Sequence, residues 1–319
     1  MRRLALLVLA VCVVPAAPAG SPAERPVALV TAETSNQVTA VSLGPHGGRI
    51  LRRIHLADPL MIAAPLRGPA VVVNPAGTVT LIASRSLRPI RVFHAFRAPR
   101  VAAVAPGGRI AYVTDERTGD LTAIDLAERK IVGRVFVGSR AHHFGISPDG
   151  RRIWVALGET ARTIVRLDAS NPPRPRVVGR FHPRDAAHDL RFAPDGRTVW
   201  ISSAGTSEVG IYSAETGRIL EGADGGHAPQ HVGFSGRHVL ITSGYGSTLT
   251  SMCWRPGCGR RVVPAPYGSF NLATYGGSVV TTSLFTGSVS EFRAGDLHRL
   301  WTTKVAPAAR YVAITLWLR

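Results

Sequence analysis

Helical periodicity is the first thing this 319-residue sequence lacks. No stretch keeps apolar residues three and four apart over a useful length, so helical bundles and doubly wound sheets are excluded. Without a helix to open, a glycine-rich phosphate loop has nowhere to sit. "GFSGR", residues 233–237, has neither the spacing nor the setting of a nucleophile elbow. Aromatic residues are only 7% of the chain, and just two lysines, Lys130 and Lys304, stand among its 38 basic residues. Nucleic-acid faces cluster basic side chains with interleaved aromatics. Here the arginines are spread along the whole chain, so the net charge of +18 reads as a generally basic surface. Its functional form would be adhesion to anionic cell-surface polymers.

Long apolar runs are also missing. The longest, Leu4 to Val14, is about half of what a membrane span needs. It follows Arg2 and Arg3 and precedes Ala17-Pro18-Ala19, the order of an export signal with a small-residue cleavage site. A lipoprotein reading through Cys12 is disfavoured by Val11 before it. The expectation is a signal peptide over 1–19 and a secreted, extracytoplasmic domain over 20–319 with no transmembrane segment. Cleavage leaves two cysteines, Cys253 and Cys258 in "CWRPGC", predicted to form a disulfide across a tight turn. Zinc is not expected there, because no second pair of ligands follows at matching spacing.

What the sequence does contain is a repeat. "PRVAAVAPGGRIAYVTDERTGDLTAID" from Pro99, "AHHFGISPDGRRIWVALGETARTIVRLD" from Ala141 and "AHDLRFAPDGRTVWISSAGTSEVGIYS" from Ala187 share one pattern. Weaker copies begin at Pro59, Pro229 and Gly268. A period near 40 built from short strands and glycine-rich turns signals a propeller blade of four strands. In the turns, Pro148 presets φ, while Gly150 and Gly196 accept a positive φ. The N-terminal segment supplies three strands, and "ARYVAITLWLR" at the C-terminus supplies a first strand that then stops. Joining them predicts an all-β, seven-bladed β-propeller, closed by pairing the C-terminal strand with the N-terminal blade. A closed ring leaves no open sheet edge.

The stretches "AYVTD", "VVVN", "ALVTA", "SPDGRRIWV" and "APDGRTVWI" resemble the YVTN-type repeats of bacterial seven-bladed propellers. The resemblance covers nearly all of the mature chain and is strongest over blades 3 to 5. Blades 2, 6 and 7 depart from it at the Pro-Asp-Gly turn. It implies an exported binding or surface-layer-like protein, with a similar architecture in lactonases. Because one fold hosts many functions, the site has to be argued from residues.

In this architecture the innermost strands line a channel. Their first rim positions read Leu60, Arg100, His142, His188, Gln230, Ser269 and Arg310 around the ring. The positions after them read Met61, Val101, His143, Asp189, His231, Phe270 and Tyr311. The arc over blades 4 to 6 is thus rich in histidine, and Arg100 and Arg310 flank it. The candidate ligand-binding set is Arg100, His142, His188, Gln230, His231 and Arg310, for a small polar or anionic ligand or a protein or cell-wall partner. The candidate metal set is His142, His188 and His231. No cofactor motif is evident; a divalent metal is the one cofactor this rim admits. Adjacent residues of an extended strand point oppositely, so His143 is expected to face away from His142. The resemblance implies a packing role for His at this position. Hard-metal candidates stop at Asn271 and Asp189, too few oxygens for a calcium-type shell. Asp115, Glu116 and Glu159 are read as loop acids on the same face, and Asp149 and Asp195 as turn residues on the opposite one. The leading reading is a binding or scaffold module, and the alternative is a lactonase-like or metal-assisted hydrolase.

Overall fold

The structure, a computed structural model, describes residues 24–203 and 205–318. The predicted signal peptide and its cleavage site lie outside the described residues. Seven antiparallel sheets of four strands form the ring. Six blades run in chain order from the channel outward. The seventh is composite: its inner strand is Ala309–Leu318, followed outward by Glu24–Ala32, Gln37–Ser42 and Ile50–His55. The closing register pairs Val27 with Thr315 and Leu29 with Ala313. Counted from this composite blade 1, the inner strands of blades 2 to 7 begin at Met61, Pro99, Ala141, Ala187, Val232 and Ser269. No helix among the described residues is long and apolar enough to cross a membrane.

The burial pattern follows from the blade geometry. Second and third strands are sandwiched between neighbouring sheets and are buried on both faces, as in the second strands Ile110–Asp115 and Thr198–Ser203. Outermost strands such as Ile219–Asp224 are mostly exposed. The Pro-Asp-Gly turns lie as expected: Asp149 and Asp195 each accept the N–H two residues on, at 3.0 Å, with Gly150 and Gly196 at positive φ. The Cys253–Cys258 disulfide is present, with Cα atoms 5.6 Å apart.

Five blades share one side-chain device. A hydroxyl on the second strand accepts an N–H from its own inner strand or donates to a carbonyl of the next blade, and usually does both. Thr31 accepts from Tyr311 N–H at 3.0 Å and donates to Leu60 C=O at 2.9 Å. Thr114 serves Val101 N–H at 3.2 Å and His142 C=O at 2.8 Å. Ser202 serves Asp189 N–H at 2.9 Å and Gln230 C=O at 2.6 Å. Thr242 bonds His231 and Phe270 alike, and Thr282 donates to the Arg310 carbonyl, back onto blade 1. These hydroxyls are the Thr of "ALVTA" and "AYVTD" and their counterparts. Val73 and Ala156 take the place in blades 2 and 4, so two of the seven seams lack the latch.

The following acid also has a fixed task. Asp115 is a buried strand residue rather than a solvated loop acid. Its carboxylate accepts the N–H groups of Arg97, Ala98, Arg117 and Thr118 at 2.6–3.1 Å. It organises two loops and adds no free charge to the rim.

Candidate metal centre

The site is built by a departure from regular strand geometry. On the inner strand of blade 4 the register slips between Ala141 and Phe144, so that His142 and His143 face one residue of the neighbouring strand. The same slip occurs in blade 5 around His188 and Asp189, in blade 3 around Arg100 and Val101, and in blade 1 around Arg310 and Tyr311. A bulge of this kind re-aims side chains that regular pleating would send to opposite faces. Hence His142 and His143 do not point apart. Their rings lie 4.5 Å apart by centroid, with Nδ1 to Nδ1 at 2.9 Å.

The consequence is a trio other than the expected one. His143, His188 and His231 each place a ring nitrogen within 4.8 Å of the other two. Their centroids are 4.7 Å apart for His143 and His188, and 5.4 Å apart for each of the other pairs. His142 sits behind His143 and is not part of this group. The bulge thus brings His143, rather than His142, into the group with His188 and His231. The register of blade 7 is corrected. The Thr242 latch reaches Phe270 C=O, not Ser269, so the rim residue there is Phe270 and the next is Asn271.

Each imidazole of the trio has its Nδ1 engaged. His143 Nδ1 meets His142 Nδ1, His188 Nδ1 lies 3.2 Å from Glu159 C=O, and His231 Nδ1 lies 3.1 Å from Phe270 C=O. With the proton on Nδ1, each ring donates there and leaves Nε2 as a lone-pair donor. Nε2 of His143 and of His231 are buried and have no protein partner. In metal sites, partners of this kind orient histidine ligands toward an ion. Burial, the largest influence, pushes His142 and His231 down to about 4. It also pushes His143 well below its ordinary value, with His188 and His142 adding to the effect. At neutral pH His142, His143 and His231 are therefore uncharged, the form in which imidazole binds metal. Three imidazoles suit zinc, copper or nickel, and the absence of an oxygen cage argues against calcium or magnesium as the occupant. An ion at 2.0–2.1 Å from three tetrahedral donors would set them about 3.4 Å apart. Closure thus asks for ring shifts of about an ångström.

Around the trio the channel divides. Above it a funnel of about 220 Å³ opens on the loop face, and below it a chamber of about 490 Å³ is lined largely by aliphatic side chains. His143, His231, Asn271 and Tyr311 border both spaces. Burial pushes the Tyr311 hydroxyl up to about 12, so it stays protonated at neutral pH. The funnel holds the remaining predicted residues, Arg100, His142, Gln230 and Arg310. The arginines are not free, however. Arg100 bonds Glu116 at 2.6 Å and Arg310 bonds Glu33 at 2.9 Å. This neutralisation removes the reason to expect a general preference for anions.

Sequence reasoning missed one wall of the funnel. The loops between second and third strands carry Glu33, Glu116 and Glu159 in blades 1, 3 and 4, but Tyr245 and Phe285 in blades 6 and 7. Tyr245 packs on Phe270 at 4.9 Å, Phe270 on Phe285 at 5.7 Å, and Phe285 stacks on Tyr267 at 4.8 Å. The signal was available as "SGYGS" and "SLFTGS", where aromatics replace the acids of the other loops.

Compared with known proteins, the chain matches no protein-family profile and no curated protein. Among solved structures it is similar to a functionally unknown protein from Desulfotomaculum acetoxidans. The TM-score is 0.77 at 15% identity, covering 91% of this chain and 98% of that one. It is also similar to a protein from Lactobacillus plantarum, with TM-score 0.74 at 14% identity, covering 92% and 99%. A third similarity is to Kuenenia stuttgartiensis hydrazine synthase, with TM-score 0.63 at 16% identity, covering 74% and 76%. At such identities the likeness speaks for the propeller fold alone.

Proposed function

We propose that this protein is an exported, metal-binding propeller whose centre is His143, His188 and His231. The ion is a borderline divalent cation such as zinc or copper(II), with one coordination position open to the funnel. One observation carries the reading: three imidazole nitrogens converge, and the buried Nε2 atoms of His143 and His231 have no protein partner. Buried nitrogens left unpaired are costly, and an ion satisfies both at once. His142 acts from behind as the acceptor that orients His143. Arg100, Gln230 and Arg310 form the wall through which a ligand reaches the ion. An oxidising compartment fits the Cys253–Cys258 disulfide.

The test is metal analysis and zinc titration calorimetry on the purified mature protein. One ion per chain is expected, lost in His143→Ala and in His188→Ala. His142→Ala should keep the stoichiometry but weaken affinity by about 10–100-fold, as loss of an outer-shell partner does. A folded wild-type protein that takes up no zinc, copper or nickel overturns the reading.

A second reading is favoured by the ligand count. Three protein ligands leave a fourth place for water, whose acidity a bound zinc raises toward neutral pH. A metal-assisted, lactonase-like hydrolase predicts turnover of lactones or esters by the zinc-loaded protein and none by His188→Ala. A flat screen with loaded protein leaves the binding role alone.

A further inference from the structure

The funnel above the trio has two unlike walls, and together they specify a ligand class. On the side of blades 3 to 5, several polar groups are committed to one another. Arg100 holds Glu116, His142 holds His143, and His188 faces Glu159 C=O. Arg310 is likewise held by Glu33. Across the opening, Tyr245, Phe270 and Phe285 form a continuous aromatic wall. Tyr245 and Phe285 are 56% and 52% exposed, at the tips of their loops. Large aromatics clustered and exposed beside a cavity mark a binding surface. Between the walls lies a third feature. Asn271 is 5% exposed and borders the same cavity, yet its side-chain oxygen has no protein partner. Like the histidine nitrogens, it is a buried acceptor waiting for a donor.

We infer that the funnel binds a one-ring ortho-diphenol, a catechol: the ring lies against Tyr245, Phe270 and Phe285, one oxygen occupies the open position on the ion, and the neighbouring hydroxyl donates to Asn271 Oδ1. The inference rests on the metal reading of this site. Size agrees with it, since a cavity of about 150 Å³ accommodates benzene and this one holds about 220 Å³. Chemistry selects against the other flat-faced ligand, a sugar. A pyranose needs a partner for each of several hydroxyls, and leaving buried ones unpaired costs binding. Arg100, Glu116 and Arg310 in this funnel are already paired. An aryl ring asks for an aromatic wall, where edge and offset contacts are favourable, and for two oxygen contacts only. A plain carboxylate would use the arginines, which are occupied by glutamates.

The experiment uses the zinc-loaded full protein and 4-nitrocatechol, whose visible absorption shifts when its oxygen binds a metal. A saturable one-to-one shift is expected with loaded protein and none with metal-free protein. Tyr245→Ser and Phe285→Ser, at exposed positions, should each weaken 4-nitrocatechol binding about tenfold while leaving zinc stoichiometry intact. Asn271→Leu should erase most of the preference for 4-nitrocatechol over 4-nitrophenol. Zinc uptake without any spectral shift overturns this inference and leaves the metal reading standing; no zinc uptake overturns both. Unchanged affinity in both aromatic variants, a preserved preference in Asn271→Leu, or equal displacement by a methyl glucoside each overturns the ligand class.

Discussion

The metal-free protein should lose stability on mild acidification, in a window set by its buried imidazoles. His142 and His231 are held at about 4, against 6.5 for an unburied histidine. The unfolded chain therefore binds protons on both groups at a pH where the folded chain does not. Stability from this source is fully present above pH 6.5 and drains away as pH falls toward 4. A depressed histidine pKa acts in this direction because the folded state must keep the ring neutral. The size follows from proton affinity, each tenfold difference between folded and unfolded chains being worth about 1.4 kcal/mol. At pH 5 each group should have lost about 2 kcal/mol, and near pH 4 about 3 kcal/mol. For both together the loss at pH 5 is about 4 kcal/mol, a large fraction of a typical folding free energy. The assay is urea unfolding of chelator-treated protein at pH 7.5, 6.5, 5.5 and 5.0, beside a His142→Gln plus His231→Gln variant. Asp125, Asp149, Asp195 and Asp296, whose pKa values are lowered in the folded chain, add acid sensitivity only below this window, since they titrate below pH 5 in the folded and the unfolded chain alike. Wild type should show the slope and the variant most of its removal. A flat wild-type profile from pH 6.5 to 5.0, or an equal slope in the variant, would refute the claim that these rings are buried uncharged.

Two further outcomes concern the scaffold. Thr114→Val is nearly isosteric but leaves Val101 N–H and His142 C=O without their partner, so a loss of about 1–3 kcal/mol is expected in urea unfolding. The converse change, Val73→Thr, restores the missing latch of blade 2 and should be neutral or stabilising. Replacing Cys253 and Cys258 by Ser opens a loop of sequence separation 5. The loop-entropy cost is about 2 kcal/mol, and zinc stoichiometry should not change.

The ring was legible because its determinants are local and repeated. Turn chemistry at Pro148-Asp149-Gly150, alternation on the inner strands and the period near 40 each act within a few residues. The split N- and C-terminal strands fall out of the same count. The histidine arc was legible for the same reason: repeat alignment places His142 beside His188, and His143 beside His231. Which of them converge was not legible. A one-residue slip at Ala141–Phe144 costs little in sequence terms and changes no residue type, yet it reverses the expected facing of His143. Blade 7 misled by one position because "PYGSF" offers no turn signature to pin the register. The charge of the rim was not legible because residue types do not show that Glu116 turns back onto Arg100 of its own blade, or that Glu33 meets Arg310 within the composite blade. Which charges meet is a matter of tertiary placement, and composition does not carry it.

The closing pair of strands has a consequence for the order of assembly. Glu24–Ala32 cannot find Ala309–Leu318 until nearly the whole chain is available, and contacts of such separation form late. His143, His188 and His231, by contrast, come from consecutive blades that can dock through nearer contacts while the ring is still open. Tyr311 rides on the last strand and reaches its place beside His231, 5.8 Å between ring centroids, only when the circle shuts. In folding time the centre precedes its own floor. An ion bound at the proposed centre during folding would meet three nitrogens first and be enclosed afterwards.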